Sequence, residues 1–417
     1  MDERYKVISF HYRNLWWDLS SDFNLDMDTY SENEKKKKEK EFNTLIDRII
    51  KYIESFPEDI SKRKIWRDKG NKYIEKIIYT EGMFKLGIID KVMKDKFMNA
   101  TKAFISSSKK FDKNLSYEDI GQAMRNLWIV NMLQQAFGEE IKFTNAIFGY
   151  SMLYPYTDNY LDSIEVNKDK KIEFNNRFTN RLEGKRIIAN GYHEEQVYDL
   201  VKLIEDEFDR EKYPEVYRSL NLIHNAQINS LRQQEYNSIP YEKDILGISI
   251  EKGGASVIAD GNLIRGEMTK SEEMFSWGYG FLLQLGDDLQ DIKDDLKNNH
   301  ITIMSQIAGK YYLDEVVNKL INLTIKVVDD AECFVCKNAN ELKELIKNNC
   351  IYMILFAIVD NKEYFTQEYL DSVKNYLPFT IEFCEMLKEN ISKKFKNLKK
   401  EYHGVEIEDI IMYFCEL

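Results

Sequence analysis

The chain has 417 residues, of which 43% are hydrophobic and 13% aromatic, and its formal net charge is −12. A chain of this length can bury a large core. The acidic balance argues against nucleic acid or an anionic membrane as the main partner. The charged start "MDERYKVISFHYRNLWW" has no apolar signal segment, and the longest apolar run, 351–359, is too short to span a bilayer. We therefore expect no transmembrane segment and a cytoplasmic protein.

Helical spacing of apolar residues recurs along the chain, as in "YIEKIIYTEGMFKLGIIDKVM" and "VVNKLINLTIKVVDDA". Only 5 prolines and 18 glycines interrupt it, and strand-like alternation is scarce. The sequence therefore predicts an all-α fold. No break resembles a flexible linker, so we expect one helical domain over 111–417 and an N-terminal helical layer over 1–110 that belongs to the same domain.

The first acidic pair lies near the middle of the chain, in "IKFTNAIFGYSMLYPYTDNYLD". An apolar, aromatic segment leads to Asp158 and Asp162, which are four residues apart and therefore share a helix face. A polar stretch, "SIEVNKDKK", follows. Taken alone, the pair is equally typical of an ordinary helix end.

A second acidic cluster ends the segment "GFLLQLGDDLQD", which begins at Gly280. On one helix over 275–295 the preceding turns are apolar nearly all round, which predicts a buried helix. Its polar residues recur at three- and four-residue steps and share a face: Gln284, Asp287, Asp288, Asp291 and Asp295.

Crowded carboxylates need a cation, because each like-charged pair costs about 0.2–0.5 kcal/mol even in an isolated helix. Mg2+ prefers oxygen ligands and is usually shared between one or two carboxylates and a phosphate. Two apolar helices that end in paired aspartates can face each other across one cavity and hold a diphosphate through Mg2+. The alternative is a solvated helix end whose aspartates pair with Lys293 and Lys297.

At these residues the sequence resembles the superfamily of trans-isoprenyl diphosphate synthases and class I terpene synthases. The second aspartate-rich motif of prenyl synthases, GxxxQxxDDxxD, is matched at every specified position by Gly280, Gln284, Asp287, Asp288 and Asp291. The first motif, DDxxD, is matched only as "DNYLD", with Asn159 in place of its second aspartate. Lys252 stands where the family has the lysine of a Lys-Thr pair, and Gly253 replaces the threonine. The similarity covers roughly residues 120–310.

The resemblance implies a large helical bundle of the isoprenoid synthase type with a central active-site cavity. It implies an allylic isoprenyl diphosphate substrate, several Mg2+ ions bound with that diphosphate, and homodimers, which are common in the family. The implied metal ligands are Asp158, Asp162, Asp287, Asp288 and Asp291. Gln284, Asp288 and Lys252 are implied substrate contacts.

Basic residues should hold the diphosphate. Arg177 and Arg181 are four apart in "FNNRFTNRLEG", and guanidinium groups suit bidentate phosphate contacts; surface ion pairing is the competing interpretation. His300, near the place of another family lysine, either contacts diphosphate or has a structural role. The pair Cys333 and Cys336 is more typical of core cysteines than of a zinc site.

Chain-elongating members of the family bind a second substrate, isopentenyl diphosphate, through an early Gly-Gly-Lys segment and an Arg-Arg pair after the first motif. Neither is present here. The sequence therefore favours a terpene synthase that ionises one allylic diphosphate and cyclises or rearranges the carbocation. The alternatives are a trans-prenyl diphosphate synthase with a divergent second site, a head-to-head enzyme of the squalene type, and a non-catalytic helical partner subunit.

Overall fold

The computed structural model describes residues 3–80, 91–163, 166–234, 242–407, 409–410 and 413. Most of these residues are helical, and the strands among them are one antiparallel pair of two residues each, so the prediction of an all-α fold is confirmed. The strands are β1 (Glu401–Tyr402) and β2 (Val405–Glu406). The helices are α1 (Glu3–Asp18), α2 (Glu32–Glu54), α3 (Ile60–Thr80), α4 (Lys91–Phe111), α5 (Tyr117–Ala136), α6 (Asn145–Asp162), α7 (Lys168–Leu182), α8 (Tyr192–Glu207), α9 (Pro214–Ser230), α10 (Ile245–Arg265), α11 (Lys270–Gln290), α12 (Ile292–Asn298), α13 (Ile303–Ile307), α14 (Asp314–Asp329), α15 (Ala339–Asp360), α16 (Gln367–Val373) and α17 (Ile381–Lys396).

Helices α10 and α11 form a tight hairpin in the middle of the molecule. Gly266 ends α10 in the left-handed conformation with φ 94°, which suits glycine. Thr269 then starts α11 with a capping box to Glu272. The end of α10 and the start of α11 are therefore both capped by hydrogen bonds. The two helices run back along each other, which brings the start of α10 beside the end of α11.

The hairpin closes on two glycines, Gly253 in α10 and Gly280 in α11. A Cβ at either position would lie inside the backbone carbonyl group of the other, so only glycine allows this approach. One residue along α10, Gly254 packs directly on the ring of Trp277. The glycine that opens the second acidic motif is therefore explained by helix packing.

Buried side chains form a separate core cluster on each side of the hairpin. Helices α1, α14 and α15 pack on the α11 side, and α5, α6, α8 and α9 lie on the α10 side, with α8 reached through α6. The predicted buried character of α11 is confirmed, since Trp277, Phe281 and Leu285 are fully buried.

The first 110 residues contact several different parts of the protein. Helix α1 packs on α10, α11 and α14, and Tyr5 stacks on Trp277 with ring centroids 5.1 Å apart. Helix α2 contacts α17, and α4 contacts α5. The predicted helical segment over 73–93 falls partly outside the described residues. Within the described part of the chain, no helix has the combination of length and apolar content that a membrane span requires.

Candidate active site

The second acidic motif lies at a helix break. The sequence predicts one helix over 275–295, but α11 ends at Gln290, and Asp291, with φ −95° and ψ 10°, separates it from α12. That prediction is wrong at this point. Asp295 nevertheless stays close to the other aspartates, because its charge contributes to the raised pKa values of Asp287, Asp288 and Asp291.

Asp287 lies on the wall of a concave cleft. Its side chain is 41% exposed, and Arg125 of α5 approaches its carboxylate to 3.9 Å. Burial raises the pKa of Asp287 above its ordinary value, the nearby cations Lys252 and Arg125 oppose this rise, and the charge of Asp158 adds to it. A carboxylate that is both accessible and desolvated stands in a recess rather than on a convex surface.

Asp158, at the end of α6, lies close enough to Asp287 for its charge to raise the pKa of that carboxyl group. Its side chain is 12% exposed, and Lys252 Nζ lies 3.8 Å from its Oδ2. The Tyr154 hydroxyl hydrogen-bonds to Asp158, and the charges of Asp158 and Asp287, with burial, raise the pKa of that tyrosine. One aspartate of each motif and the predicted Lys252 therefore come together, and with Arg125 they form what we call the carboxylate cleft.

Asp288 points away from the carboxylate cleft into the α10–α11 interface. It is 5% exposed, accepts a hydrogen bond of 2.8 Å from the Gln284 side chain, and accepts another of 3.2 Å from the Ser249 hydroxyl. Burial raises the pKa of Asp288 to about 7. Gln284 and Asp288, predicted as substrate contacts, thus bind each other and hold the end of α11 against α10.

Asp291 is exposed at the α11–α12 junction. Desolvation and the charge of Asp287 raise its pKa to about 6. The repulsion between neighbouring carboxylates that the sequence predicts is therefore present at Asp291. Lys293 does not relieve it, because its ammonium group binds the Asp360 carbonyl and Glu363.

Asp162 and Asn159 of the first motif are not seen at the carboxylate cleft, although the sequence pattern places them beside Asp158. Asp162 is the last residue of α6, and its side chain lies outside the described part of the structure. Asn159 is exposed and directs its amide at Asp119 and Gln122 of α5, at 3.4 and 3.3 Å. Position 159 therefore belongs to the α5–α6 contact, and an asparagine there removes no carboxylate from the cleft.

Arg177 and Arg181 are not brought to the carboxylate cleft. Arg177 makes a bidentate ion pair with Glu194, which is 5% exposed, and Arg181 makes one with Glu205. Arg210 also binds Glu205. These pairs hold α7 against α8 and the segment after it, which is the competing interpretation given above for the two arginines.

His300 contacts Asp295 of α12. Its Nδ1 lies 3.2 Å from Asp295, and Thr302 donates to the other oxygen of that carboxylate at 3.1 Å. Asp295 is thereby engaged in closing the turn between α12 and α13. His300 lines a shallow surface pocket there with its neighbours Asn299 and Gln306.

The donor set suits Mg2+ only when a phosphate shares it. Among the described side chains, no three His, Cys, Asp or Glu groups converge on one point that would hold a metal ion. Asp158 and Asp287 are single hard oxygen donors on α6 and α11, and Mg2+ is commonly bound by one or two carboxylates plus substrate phosphates. The residues therefore fit a metal–diphosphate complex better than a preformed metal site. Cys333 is buried in the core, as predicted.

A narrow cavity of about 30 Å3 lies next to the carboxylate cleft, and Tyr154 belongs to both. Helices α5, α6, α7, α9 and α10 contribute its walls. The lining is mainly apolar and aromatic: Asn126, Tyr150, Leu153, Tyr154, Thr157, Phe178, Leu182, Leu220, Ile223, His224, Gln227 and Ser256. This space has room for about one or two water molecules and is well below the range of about 300–1,000 Å3 that is usual for ligand pockets.

Sequence reasoning missed Arg125 and Tyr154. Tyr154 could have been found, because it lies one helical turn before Asp158. Nothing distinguishes Arg125 in "GQAMRNLW" from any other arginine on a helix, and only the packing of α5 brings it to Asp287. In comparisons with known proteins, no protein-family model, no curated protein and no solved structure matches this chain.

Proposed function

We propose that this protein is a class I terpene synthase of the isoprenoid synthase type, which ionises an allylic isoprenyl diphosphate with Mg2+ and cyclises or rearranges the carbocation. One observation carries the proposal: Asp158 and Asp287, one aspartate of each motif, lie close enough for their charges to interact, and each lies beside a cation, Lys252 or Arg125. The cleft suits the charged diphosphate, and the small aromatic-lined cavity beside it would have to widen to take the apolar chain.

The charges of the cleft support a metal-assisted diphosphate site. Asp158 and Asp287 are balanced by Lys252 and Arg125, so the cleft itself has no excess positive charge for a multiply charged anion. The raised pKa of Asp287 indicates that its carboxylate still lacks stabilisation. A divalent cation that bridges diphosphate and carboxylates would meet both needs.

In this mechanism Mg2+, when bound, neutralises the diphosphate oxygens and supports departure of the leaving group. Asp158 and Asp287 hold the complex from α6 and α11. Lys252 and Arg125 donate hydrogen bonds to phosphate oxygens and stabilise the negative charge that grows as the C–O bond breaks. Rings such as Tyr150 and Phe178 supply aromatic surface beside the cleft that would shield a carbocation from water.

The direct test is incubation of the purified protein with Mg2+ and C10 to C25 allylic diphosphates, with and without isopentenyl diphosphate. We expect diphosphate release and a hydrocarbon or alcohol product without isopentenyl diphosphate. Longer diphosphates that form only when isopentenyl diphosphate is present would replace this proposal with chain elongation. An absence of Mg2+-dependent diphosphate release and of diphosphate binding would favour a non-catalytic partner subunit.

Arg125→Ala and Arg177→Ala should affect different properties of the protein: the first should weaken diphosphate binding, and the second should lower stability. The Arg125 side chain is 56% exposed beside Asp287, so its removal should leave the stability of the protein unchanged. It should weaken the binding of Mg2+ with inorganic diphosphate about tenfold or more, because one charge-assisted hydrogen bond to the diphosphate is lost. Arg177→Ala leaves Glu194 buried without its main partner and should lower the free energy of unfolding by about 3 kcal/mol.

Calorimetric titration with Mg2+ and diphosphate measures the first effect, and urea unfolding measures the second. The folded Arg177→Ala protein should bind diphosphate like the unaltered protein. If it binds as weakly as the Arg125→Ala protein, Arg177 belongs to the diphosphate site after all.

A further inference from the structure

Gln227 is a buried amide in the wall of the small cavity. It belongs to α9, is 7% exposed, and lines the cavity together with Ser256 of α10 and Asn126 of α5. The Gln227 backbone carbonyl accepts a hydrogen bond from Ser230, but the side-chain amide makes none to any residue that the structure describes. A buried amide without a hydrogen bond is unfavourable, so this one needs a partner from outside the chain.

The Gln227 amide differs from the enclosed polar atoms of the core. Asn131 Nδ2 and Asp260 Oδ2 are fully enclosed and have no hydrogen bond among the described residues, whereas neither amide atom of Gln227 is enclosed in this way. The open space that Gln227 lines is the cavity, whose volume of about 30 Å3 fits about one or two water molecules. A diphosphate or an isoprenyl chain is far too large for this space.

Other polar groups of the lining have hydrogen-bonding capacity to spare. Asn126 uses both hydrogens of its amide, on Asp260 Oδ1 at 2.7 Å and on the Ser151 hydroxyl at 3.1 Å, so its amide oxygen can still accept. The Ser256 hydroxyl lies 3.5 Å from the Tyr150 hydroxyl, which donates its hydrogen to the Ser256 carbonyl at 3.0 Å. An enclosed water needs about two to four polar partners, and this lining supplies them.

We infer that the cavity holds one or two ordered water molecules, which hydrogen-bond to the Gln227 amide and connect it to Ser256 and Asn126. This water site lies beside the carboxylate cleft, because Ser256 follows Lys252 by one helical turn and Asn126 directly follows Arg125. An apolar group that entered the cavity would have to displace the water and leave the Gln227 amide without a hydrogen bond, which lowers affinity. The water site does not depend on the proposed function.

Gln227→Leu tests the water site, because leucine has nearly the volume of glutamine but its side chain forms no hydrogen bond. Magnetic relaxation dispersion of the water oxygen nucleus counts the water molecules that stay in a protein for longer than the protein tumbles. We expect this count to be lower in Gln227→Leu than in the unaltered protein by about one or two. Equal counts in these two proteins overturn the inference.

Gln306→Leu is the matched control, since Gln306 is exposed on α13 and does not line the cavity. Its count of long-lived water molecules should equal that of the unaltered protein. A decrease as large as that in Gln227→Leu would mean that the lost water is not the water of the cavity, which also overturns the inference.

A high-resolution crystal structure of the unaltered protein gives a readout that needs no variant. We expect ordered water within hydrogen-bonding distance of the Gln227 amide, with Ser256 or Asn126 as a further partner. A cavity without density for water, or water that leaves the Gln227 amide unpaired, overturns the inference. Neither measurement uses diphosphate release, so a failure of the proposed function would leave this result unchanged.

Discussion

Replacing Asp158 by alanine is expected to lower Mg2+-dependent diphosphate release at least about a thousandfold, which corresponds to about 4 kcal/mol of lost transition-state stabilisation. Asp158 is the carboxylate that α6 places near Asp287, with Lys252 at 3.8 Å. Without it, one wall of the carboxylate cleft would have no anionic ligand. A single-turnover assay of diphosphate release measures the loss.

Asn159→Ala is the matched control, because it alters the neighbouring position of the same motif. Its amide faces Asp119 and Gln122 rather than the cleft, so diphosphate release should stay within about twofold of the unaltered protein. A similar large loss in both variants would refute the division of roles between Asp158 and Asn159. Unchanged release in Asp158→Ala would remove the first motif from the site.

Gly280→Ala is expected to be strongly destabilising. The added Cβ would lie inside the Gly253 carbonyl, so α10 and α11 would have to separate along their central contact. We expect a loss of more than about 3 kcal/mol in the free energy of unfolding, at the upper end for overpacking of a core. Urea unfolding followed by circular dichroism measures it.

Gly121→Ala is the matched control, because it measures how much a glycine-to-alanine change in a helix alters stability when the added Cβ meets no other atom. Gly121 lies in α5, and a Cβ there meets no atom within 4 Å. Alanine should therefore stabilise the protein by about 0.5–1 kcal/mol. Equal unfolding midpoints for the two variants would contradict the close glycine contact.

The same contact explains the departure of position 253 from the family pattern described above, which has a threonine beside the lysine. A threonine at 253 would place its Cβ against the Gly280 carbonyl. Glycine here is therefore required by the spacing of α10 and α11. The preceding residue, Lys252, still reaches Asp158, so the change at 253 leaves the cationic side chain in the cleft.

Local sequence patterns determined the helices and the charged ends of two of them. Apolar residues at helical spacing predicted α6, α11 and α14, because that periodicity depends only on neighbours along the chain. The same local reasoning placed Asp158 and Asp287 at the ends of apolar helices, whereas Lys252 was singled out by the family resemblance. These assignments needed no knowledge of which helix lies beside which.

Tertiary packing decided which charges share a site. It brought Arg125 to Asp287, turned Asp288 into the α10–α11 interface, and gave Arg177 a buried partner in Glu194. Each contact joins helices whose relative position depends on the fit of whole side-chain surfaces, which no short motif encodes.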